Sequence, residues 1–442
     1  MKNQYTRGVT AVLLSAALAT TLSGCMGATS KSAEVEVQES ESTSPTVVTE
    51  ESETTTQNAV VSEANLSTTG VIDTTDLFTE RDLTQTADLS DATYLTVVSG
   101  EDISITAEGV YVLSGEASDV TITVDVDSTE KVQIVLDGVS ITNSDAPAIY
   151  VLSADKVFVT TTEGSSNTLT VTGAFVADGD TNTDAVIFSK DDLVLNGLGT
   201  LTISSTDNGI SCKDDLKVTG GTYTISSTGD GLEANDSISI SDGSFAITTQ
   251  ADALHAENDE DDTVGSVYVC GGSFDIDAVS DGFRATTYLQ VDGGSFDITA
   301  GEALESTYVQ VNGGEITISA SDDGINATTK SSSIGTPAVE ITGGTVSITM
   351  GAGDTDAIDS NGNLSISGGA VDINAQFAFD FDGAGELTGG TVTVNGEQVT
   401  SITNSMMGGG MGMGGSPEGG MGGQMGGPEG GMGGPMGGGP QG

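Results

Sequence analysis

A repeat of about 22 residues fills the sequence from residue 207 to residue 403 and constrains the fold more than any other feature. Each copy opens with an acidic or amide residue, a small residue and an apolar residue, and usually reaches a Gly-Gly pair. The first residues of the copies are Asn208, Asp230, Asp252, Asp281, Glu302, Asp323 and Asp356. Two copies carry polar insertions, at residues 258–265 and 328–336, which we predict to be loops.

Each copy contains three short stretches in which apolar and polar residues alternate. Alternation with a period of two is typical of half-buried strands. A unit of this size cannot bury its apolar face alone, so it must stack on its neighbours. We therefore predict an all-β fold, a right-handed parallel β-helix with about 22 residues per coil.

Two columns of apolar residues after the glycine pairs are predicted to point into the core. The first column contains Tyr223, Phe245, Phe274, Phe296, Ile316, Val346, Val371 and Val392. The second column lies two residues further on and contains Ile225, Ile247, Ile276, Ile298, Ile318, Ile348, Ile373 and Val394. The intervening residues, such as Thr224, Asp275 and Thr317, should face solvent because side chains alternate along a strand.

The rest of the chain divides into segments of different composition. Residues 71–206 show the same alternation without the regular repeat, and we predict an N-terminal β cap and the early coils, since an uncapped first coil would expose strand edges. Residues 26–70 are rich in Ser, Thr and Glu and are predicted to be a disordered tether. Residues 404–442 are mostly Gly and Met and are predicted to be a low-complexity tail.

Residues 1–25 have the features of an export signal. Lys2 and Arg7 precede a short apolar run that Leu22-Ser23-Gly24-Cys25 closes. A small-residue site that ends in cysteine resembles the lipobox of bacterial lipoproteins, in which the cysteine is diacylated. We expect an exported protein that is anchored through Cys25 to the outer face of the cell membrane. The alternative is a secretory signal in which the cysteine is incidental.

The charge balance excludes one class of partner. The chain has 65 acidic and 11 basic residues, and its formal net charge of −54 would repel nucleic acid. We expect a monomer.

Cys212 and Cys270 lie about two coils apart, beyond the roughly 7 Å reach of a disulfide, and we predict that both are free thiols.

The acidic residues that open the copies are the clearest candidate metal ligands. Strands of neighbouring coils lie about 4.8 Å apart, which stacks these acids in one column. The column contains Asp230, Asp252, Asp281, Glu302, Asp323 and Asp356. Calcium takes about six to eight oxygen ligands with flexible geometry and would relieve the repulsion between partly buried carboxylates. The alternative is that these side chains accept backbone hydrogen bonds at the corners.

A second oxygen-rich stretch lies at residues 178–184. Asp178, Asp180, Asn182 and Asp184 occupy every second position, as ligands do in calcium loops. The stretch lacks the glycine and the distal glutamate of an EF-hand. It is therefore either a calcium site or a solvated acidic loop.

A second outward column lies three residues after the acids and contains His255, Arg284 and Glu305. Stacking would place Arg284 beside both of the others. These residues could form cross-coil ion pairs on a solvated face. They could instead form a polysaccharide site in which Arg284 pairs with a uronate carboxylate through two hydrogen bonds.

Three tyrosines are candidate sugar-stacking residues. Tyr288 and Tyr308 share an outward position on neighbouring coils, and Tyr268 lies on the adjacent column. Their rings could stack on sugar rings or merely cover the sheet.

The segment before the regular repeat resembles a known family. The stretches at residues 131–142, 148–151, 154–157 and 163–170 are similar to the opening of bacterial carbohydrate-binding β-helix proteins of cellulose- and pectin-degrading clostridia. The similarity extends from about Leu95 to the C-terminus. The resemblance implies a calcium-containing, non-catalytic module that binds acidic and cellulosic plant polysaccharides.

We therefore expect a surface-anchored, calcium-binding protein for extracellular plant cell-wall polysaccharide, either polygalacturonate and pectin or cellulose. One alternative is a calcium-dependent enzyme of the pectate-lyase type, in which Arg284 would abstract the proton α to the uronate carboxylate. Another is a purely structural or adhesive surface protein.

Overall fold

The computed structural model describes residues 70–353 and 355–405, which lie in one compact unit. These residues wind into a parallel β-helix, as predicted, and each complete coil contributes one strand to each of three faces. The described part contains no helix, and so no helix that could cross a membrane. The predicted signal with Cys25, the tether up to residue 69 and the tail from residue 406 lie outside the described residues.

The first face is a sheet of parallel strands that runs the length of the rod. Its strands are Ile103–Ile105, Ile122–Asp125, Ile149–Ser153, Ala185–Ser189, Asn208–Cys212, Leu232–Ala234, Leu254–Ala256, Asp281–Ala285, Glu302–Ser306, Ile325–Ala327, Asp356–Ser360 and Phe377–Phe381. This face carries the acid column at its leading corner.

The second and third faces follow in each coil and belong to one continuous sheet. The strands of the second face are Lys156–Thr161, Leu193–Gly197, Asp215–Val218, Ser237–Ile240, Ser266–Val269, Tyr288–Val291, Tyr308–Val311, Ala338–Ile341, Asn363–Ile366 and Gly385–Leu387. The strands of the third face are Ser166–Val171, Thr200–Ser204, Thr222–Ser227, Ser244–Thr249, Ser273–Ala278, Ser295–Ala300, Glu315–Ala320, Thr345–Met350, Ala370–Asn374 and Thr391–Val394.

The remaining strands close the two ends of the sheet. At the N-terminal end, Thr93–Thr96 pairs with Gly109–Ser118, which pairs with Lys131–Asn143. The strand Lys131–Asn143 is long enough to reach both the second and the third face, and so joins them into one sheet. At the C-terminal end, Glu397–Val399 folds back antiparallel to Thr391–Val394.

The two predicted core columns are in register and buried, except that Val394 at the C-terminal end is only partly buried. Within the first column, the rings of Phe245, Phe274 and Phe296 stack with centroids 4.7 and 4.8 Å apart. Phe283 packs edge-on against this stack from the first face. Ring stacking adds to apolar burial, and the column therefore fixes the register of consecutive coils.

The glycine pairs form the corner between the second and third faces. At Gly313 a Cβ atom would clash with the backbone oxygen of Asp292 in the preceding coil. At Gly314 the backbone φ is +90°, which side-chain-bearing residues rarely adopt. The pair therefore recurs because one position needs close backbone approach and the other needs a positive φ.

A segment of turns and bends at residues 70–86, which we call the N-terminal strap, crosses the outside of the second face. The Ile72 N–H donates to Gln290 Oε1 at 2.8 Å. Further along, the buried Asp82 carboxylate lies 3.7 Å from the Lys156 ammonium. The strap therefore covers outward side chains of this face over several coils.

The two cysteines of the described part differ in state. Cys212 is buried and free, as predicted. Cys270 is disulfide-bonded, so the prediction of a free thiol there is wrong. The distance between coils excluded only the pairing of these two cysteines with each other.

Candidate functional site

The acid column forms a hydrogen-bonded spine along the leading corner of the first face. The Asp252 N–H donates to Asp230 Oδ1 at 2.9 Å, and the Asp281 N–H donates to Asp252 Oδ1 at 2.9 Å. The Asp356 N–H donates to Asp323 Oδ1 at 3.1 Å. The corner hydrogen bonds named above as an alternative to metal binding are therefore made by Asp230, Asp252 and Asp323.

The pattern changes at Asp281, where three carboxylates meet. Asp281, Glu302 and Glu305 each offer an oxygen, and these oxygens lie within 4.8 Å of one another. We call this group the carboxylate triad. Asp281 and Glu302 are neighbours in the column, and Glu305 enters from the second outward column because it follows Glu302 by three residues on the same strand. Asp281 and Glu305 are each only 7% exposed.

The triad holds more negative charge than its surroundings neutralise. Burial and then the charges of Asp252, Glu305 and Glu302 raise the pKa of Asp281 to about 8. Burial and the charge of Glu305 raise the pKa of Glu302 to about 7, although Asn326 Nδ2 donates to Glu302 Oε2 at 3.0 Å. At neutral pH the triad therefore retains protons or requires a cation.

Arg284 lies beside His255 and Glu305, as stacking predicted. Its guanidinium is 3.3 Å from Glu257 Oε2, 3.6 Å from Asp252 Oδ2 and 3.7 Å from Glu305 Oε2. The cross-coil ion pairs considered for this column are therefore present. The side chain of Arg284 remains 31% exposed, and that of Glu257 38% exposed.

His255 is held between carboxylates. Its Nδ1 lies 2.9 Å from Asp230 Oδ2, and its Nε2 lies 2.9 Å from Glu257 Oε2. Burial lowers the pKa of His255, but the hydrogen bond and charge of Asp230, with Asp252 and Glu257, outweigh burial and raise the pKa to about 9. The raised pKa favours the imidazolium form at neutral pH, which has no lone pair for a metal. The ligand atoms of His255, Asp230 and Asp252 lie within 4.8 Å of one another.

Two site features were not foreseen from the sequence. Lys330, in the second inserted loop, places its ammonium 2.9 Å from Glu305 Oε2. Asp192, Asp214 and Asp215 form another group of carboxylates within 4.8 Å, at the corner between the first and second faces. The Asp-Asp pairs at residues 191–192 and 214–215, one coil apart, were the available sequence indication of this group.

The residues of the 178–184 stretch contact different partners. The Tyr150 hydroxyl donates to Asp178 Oδ2 at 3.2 Å, and Asn182 Nδ2 donates to Asp184 Oδ2 at 2.7 Å. Asp180 is exposed. Burial and the nearby charge of Glu233 raise the pKa of Asp184 to about 6. The structure thus does not bring these four side chains together around one point.

The three tyrosines lie on the second face and differ in accessibility. Tyr268 is 4% exposed, and its hydroxyl donates to Asp292 Oδ2 at 2.9 Å, so its ring presents no open face to a sugar. Tyr288 and Tyr308 are half-buried neighbours with ring centroids 6.0 Å apart and planes tilted by 54°. The tilt means that these two rings do not form one flat platform.

Comparison with known proteins places these residues inside a recognised domain. Residues 99–354 match the family described as carbohydrate-binding domain-containing protein. A protein of that description from Acetivibrio thermocellus is 39% identical over 127 residues, which cover 28% of this chain and 44% of the relative. The chain therefore matches less than half of that relative's length.

A solved structure, described as the polysaccharide lyase-like protein from C. thermocellum in a gadolinium derivative, aligns with 69% of this chain and 94% of its own chain. The aligned sequences are 25% identical, and the TM-score is 0.38. The family match, in contrast, spans more than half of the chain and includes the triad and Arg284. It confirms the resemblance seen in the sequence: the chain belongs to the family of carbohydrate-binding domain-containing proteins.

Proposed function

We propose that this chain is a non-catalytic, calcium-binding protein that holds plant cell-wall polysaccharide at the cell surface. The observation that carries the proposal is the largely buried carboxylate triad within the matched carbohydrate-binding region. Family membership supports a carbohydrate partner, and the triad supports a cation between protein and ligand.

The residues of the triad fit calcium by their chemistry. Asp281, Glu302 and Glu305 would supply carboxylate oxygens, which calcium prefers over nitrogen and sulfur. Asn326 is 8% exposed, and its Oδ1 atom has no hydrogen-bond partner in the described part of the chain. This amide beside Glu302 is a fourth candidate oxygen ligand. Bound calcium would remove the repulsion that raises the pKa values of Asp281 and Glu302.

A divalent cation would also reduce the electrostatic repulsion between this acidic chain and an acidic polysaccharide. The formal net charge of −54 repels polygalacturonate, which carries a carboxylate on every sugar. Calcium in the triad would leave coordination positions for uronate oxygens. A uronate could also replace Glu257, the most exposed partner of Arg284, and pair with the guanidinium. We therefore propose pectic polysaccharide as the charged ligand.

Binding without cleavage is favoured by the environment of Arg284. A lyase would need this side chain to accept a proton from the sugar ring. Burial lowers the pKa of Arg284, but the charges of Asp252, Glu257 and Glu305 outweigh burial and raise the pKa above its ordinary value. An arginine that holds its proton this firmly is a poor base.

Export and anchoring follow from the nature of the ligand. Plant cell-wall polysaccharide is extracellular, so a protein that binds it has to leave the cell. We propose that residues 1–25 direct export and that residues 26–70 form a tether. A diacyl group on the Cys25 sulfur would anchor the chain, and because that thioether cannot also form a disulfide, acylation and a disulfide are alternative states of Cys25.

Affinity electrophoresis in gels that contain polygalacturonate tests the proposal. We expect calcium to retard the purified chain, and chelator or the variant Asp281→Asn/Glu302→Gln to abolish the retardation. The control Glu101→Gln/Glu116→Gln removes the same number of charges from exposed positions near the N-terminal end and should behave as wild type. Equal retardation with and without chelator would remove the metal from the mechanism. No retention on any polysaccharide would remove the carbohydrate partner.

A further inference from the structure

The three faces of the rod differ in what covers them. The first face carries paired carboxylates and cations, including Arg284 and Lys330. The second face lies partly beneath the N-terminal strap, and its outward residues Gln290 and Gln310 are buried. The third face is open, because the outward residues of its strands are exposed while the inward ones are buried.

Short hydroxyl side chains predominate on the open third face, and its other outward residues are acidic residues, alanine and asparagine. One strand presents Thr222, Thr224 and Ser226, and most other strands repeat this chemistry in register. None of the outward positions of the ten described strands holds Lys, Arg or an aromatic residue. Exposed protein surfaces normally carry long side chains of both charges. This face is unusual because it lacks basic residues and because most of its side chains are short.

The geometry suits a flat ligand that carries hydroxyl groups. Strands about 4.8 Å apart and outward positions about 6.7 Å apart give a surface of roughly 43 Å by 13 Å. A hydroxyl both donates and accepts hydrogen bonds, as sugar hydroxyls do. Thr has few rotamers and Ser is short, so ordering these side chains on binding costs less entropy than ordering long ones.

Charge on the third face selects against acidic sugars. Asp275 and Asp297 lie side by side on adjacent strands near its middle, and Asp277, Glu315 and Asp372 also occupy exposed outward positions. No basic side chain lies among the outward positions of the ten described strands of this face. A uronate polymer would therefore meet only hydroxyls and carboxylates here, whereas an uncharged polymer meets no repulsion.

We propose that the third face is a second, calcium-independent binding surface for uncharged polysaccharide whose extended chains pack side by side into a flat solid. This inference rests on the proposed carbohydrate-binding function and assigns to it a surface distinct from the triad. The chain then has a cation-dependent site for acidic polymers on the first face and a hydroxyl lattice for neutral ones on the third.

Depletion of the full chain from solution by microcrystalline cellulose, with chelator present, tests the assignment. The variants Thr224→Arg/Thr317→Arg and Thr224→Glu/Thr317→Glu place long side chains on exposed positions of the face, so the fold should be kept, and thermal melting checks this. Ser104→Arg is the matched control on an exposed strand position of the first face.

We expect wild type and Ser104→Arg to bind equally, and both Thr224 double variants to bind at least about tenfold more weakly, which corresponds to about 1.4 kcal/mol. Stronger binding by the arginine variant alone would overturn the assignment, because it would indicate attraction to charge. Unchanged binding by both variants would place the contact elsewhere. If wild type binds polygalacturonate in calcium but not cellulose in chelator, this inference fails and the proposed function stands. Binding to neither polysaccharide would contradict both this inference and the proposed function.

Discussion

Calcium should stabilise the chain above neutral pH and have little effect in acid. Without metal, the folded pKa values of Asp281 and Glu302 lie above their unfolded values. Stability from these protonated carboxyls is therefore complete below about pH 4 and is lost as the pH rises through 7 and 8. Calcium replaces the protons and should restore the lost stability.

The size of the effect follows from the spacing of the triad. Two carboxylates within 4.8 Å repel by about 3 kcal/mol at an effective dielectric constant near 20. A calcium dissociation constant of about 0.1 mM, at the tight end of extracellular sites, gives about 2.7 kcal/mol at about 10 mM calcium. Roughly 330 ordered residues lose about 0.7 kcal/mol of stability per kelvin at the melting temperature, so Tm should rise by about 4 °C.

Calorimetry at about pH 8.5 and about pH 5, with calcium or chelator, measures this shift. Asp281→Asn/Glu302→Gln should raise the Tm of the metal-free chain at the higher pH and abolish the response to calcium. Asp275→Asn/Asp297→Asn should leave the response intact. A calcium shift of equal size in the triad variant, or an equal shift at both pH values, would refute this reasoning.

Other predictions concern the core, a charged pair, the strap and the anchor. Phe274→Ala should cost about 3 to 5 kcal/mol in urea unfolding, and a loss below about 1 kcal/mol would contradict the stacked column. The stabilisation that imidazolium His255 provides is complete below its unfolded pKa near 6.5 and is lost as the pH rises through about 9; His255→Gln should therefore destabilise at pH 6 and have little effect at pH 10, and a pH-independent difference would exclude the charge. Asp82→Asn should speed hydrogen exchange in the strap by at least about tenfold while leaving the core strands protected, and unchanged exchange would mean that its pairing with Lys156 does not hold the strap. Mass spectrometry of the N-terminal peptide should find a diacylated Cys25 that reductant leaves unchanged; an intact signal or a mass change on reduction argues against the anchor.

The fold was predictable because its determinants repeat along the chain. Each sequence repeat, with its acidic residue, small residue, apolar strand and glycine pair, specifies one coil. The recurrence of the repeat specifies that the coils stack on one another. The columns that begin at Tyr223 and Ile225 therefore came out in register. The corner hydrogen bonds of Asp230 and Asp252 were foreseen only as an alternative, because spacing locates a carboxylate without saying which donor reaches it.

The features that the sequence did not predict depend on contacts between segments that lie far apart along the chain. Lys330 reaches Glu305 from an inserted loop whose path no repeat specifies. Asp82 meets Lys156 because the N-terminal strap runs back along the rod, which periodicity cannot reveal. The raised pKa of Asp281 depends on burial by neighbouring coils, which the sequence does not specify.

Measurement of bound protein and released product in the same samples tests the central claim most directly. The full chain is incubated with polygalacturonate or with cellulose, with calcium or with chelator, and the ultraviolet absorbance of unsaturated products is recorded beside the bound fraction. We predict binding to polygalacturonate only with calcium, binding to cellulose under both conditions, and no absorbance change in any sample. Product formation that requires Arg284, or no binding to either polymer, would contradict the account.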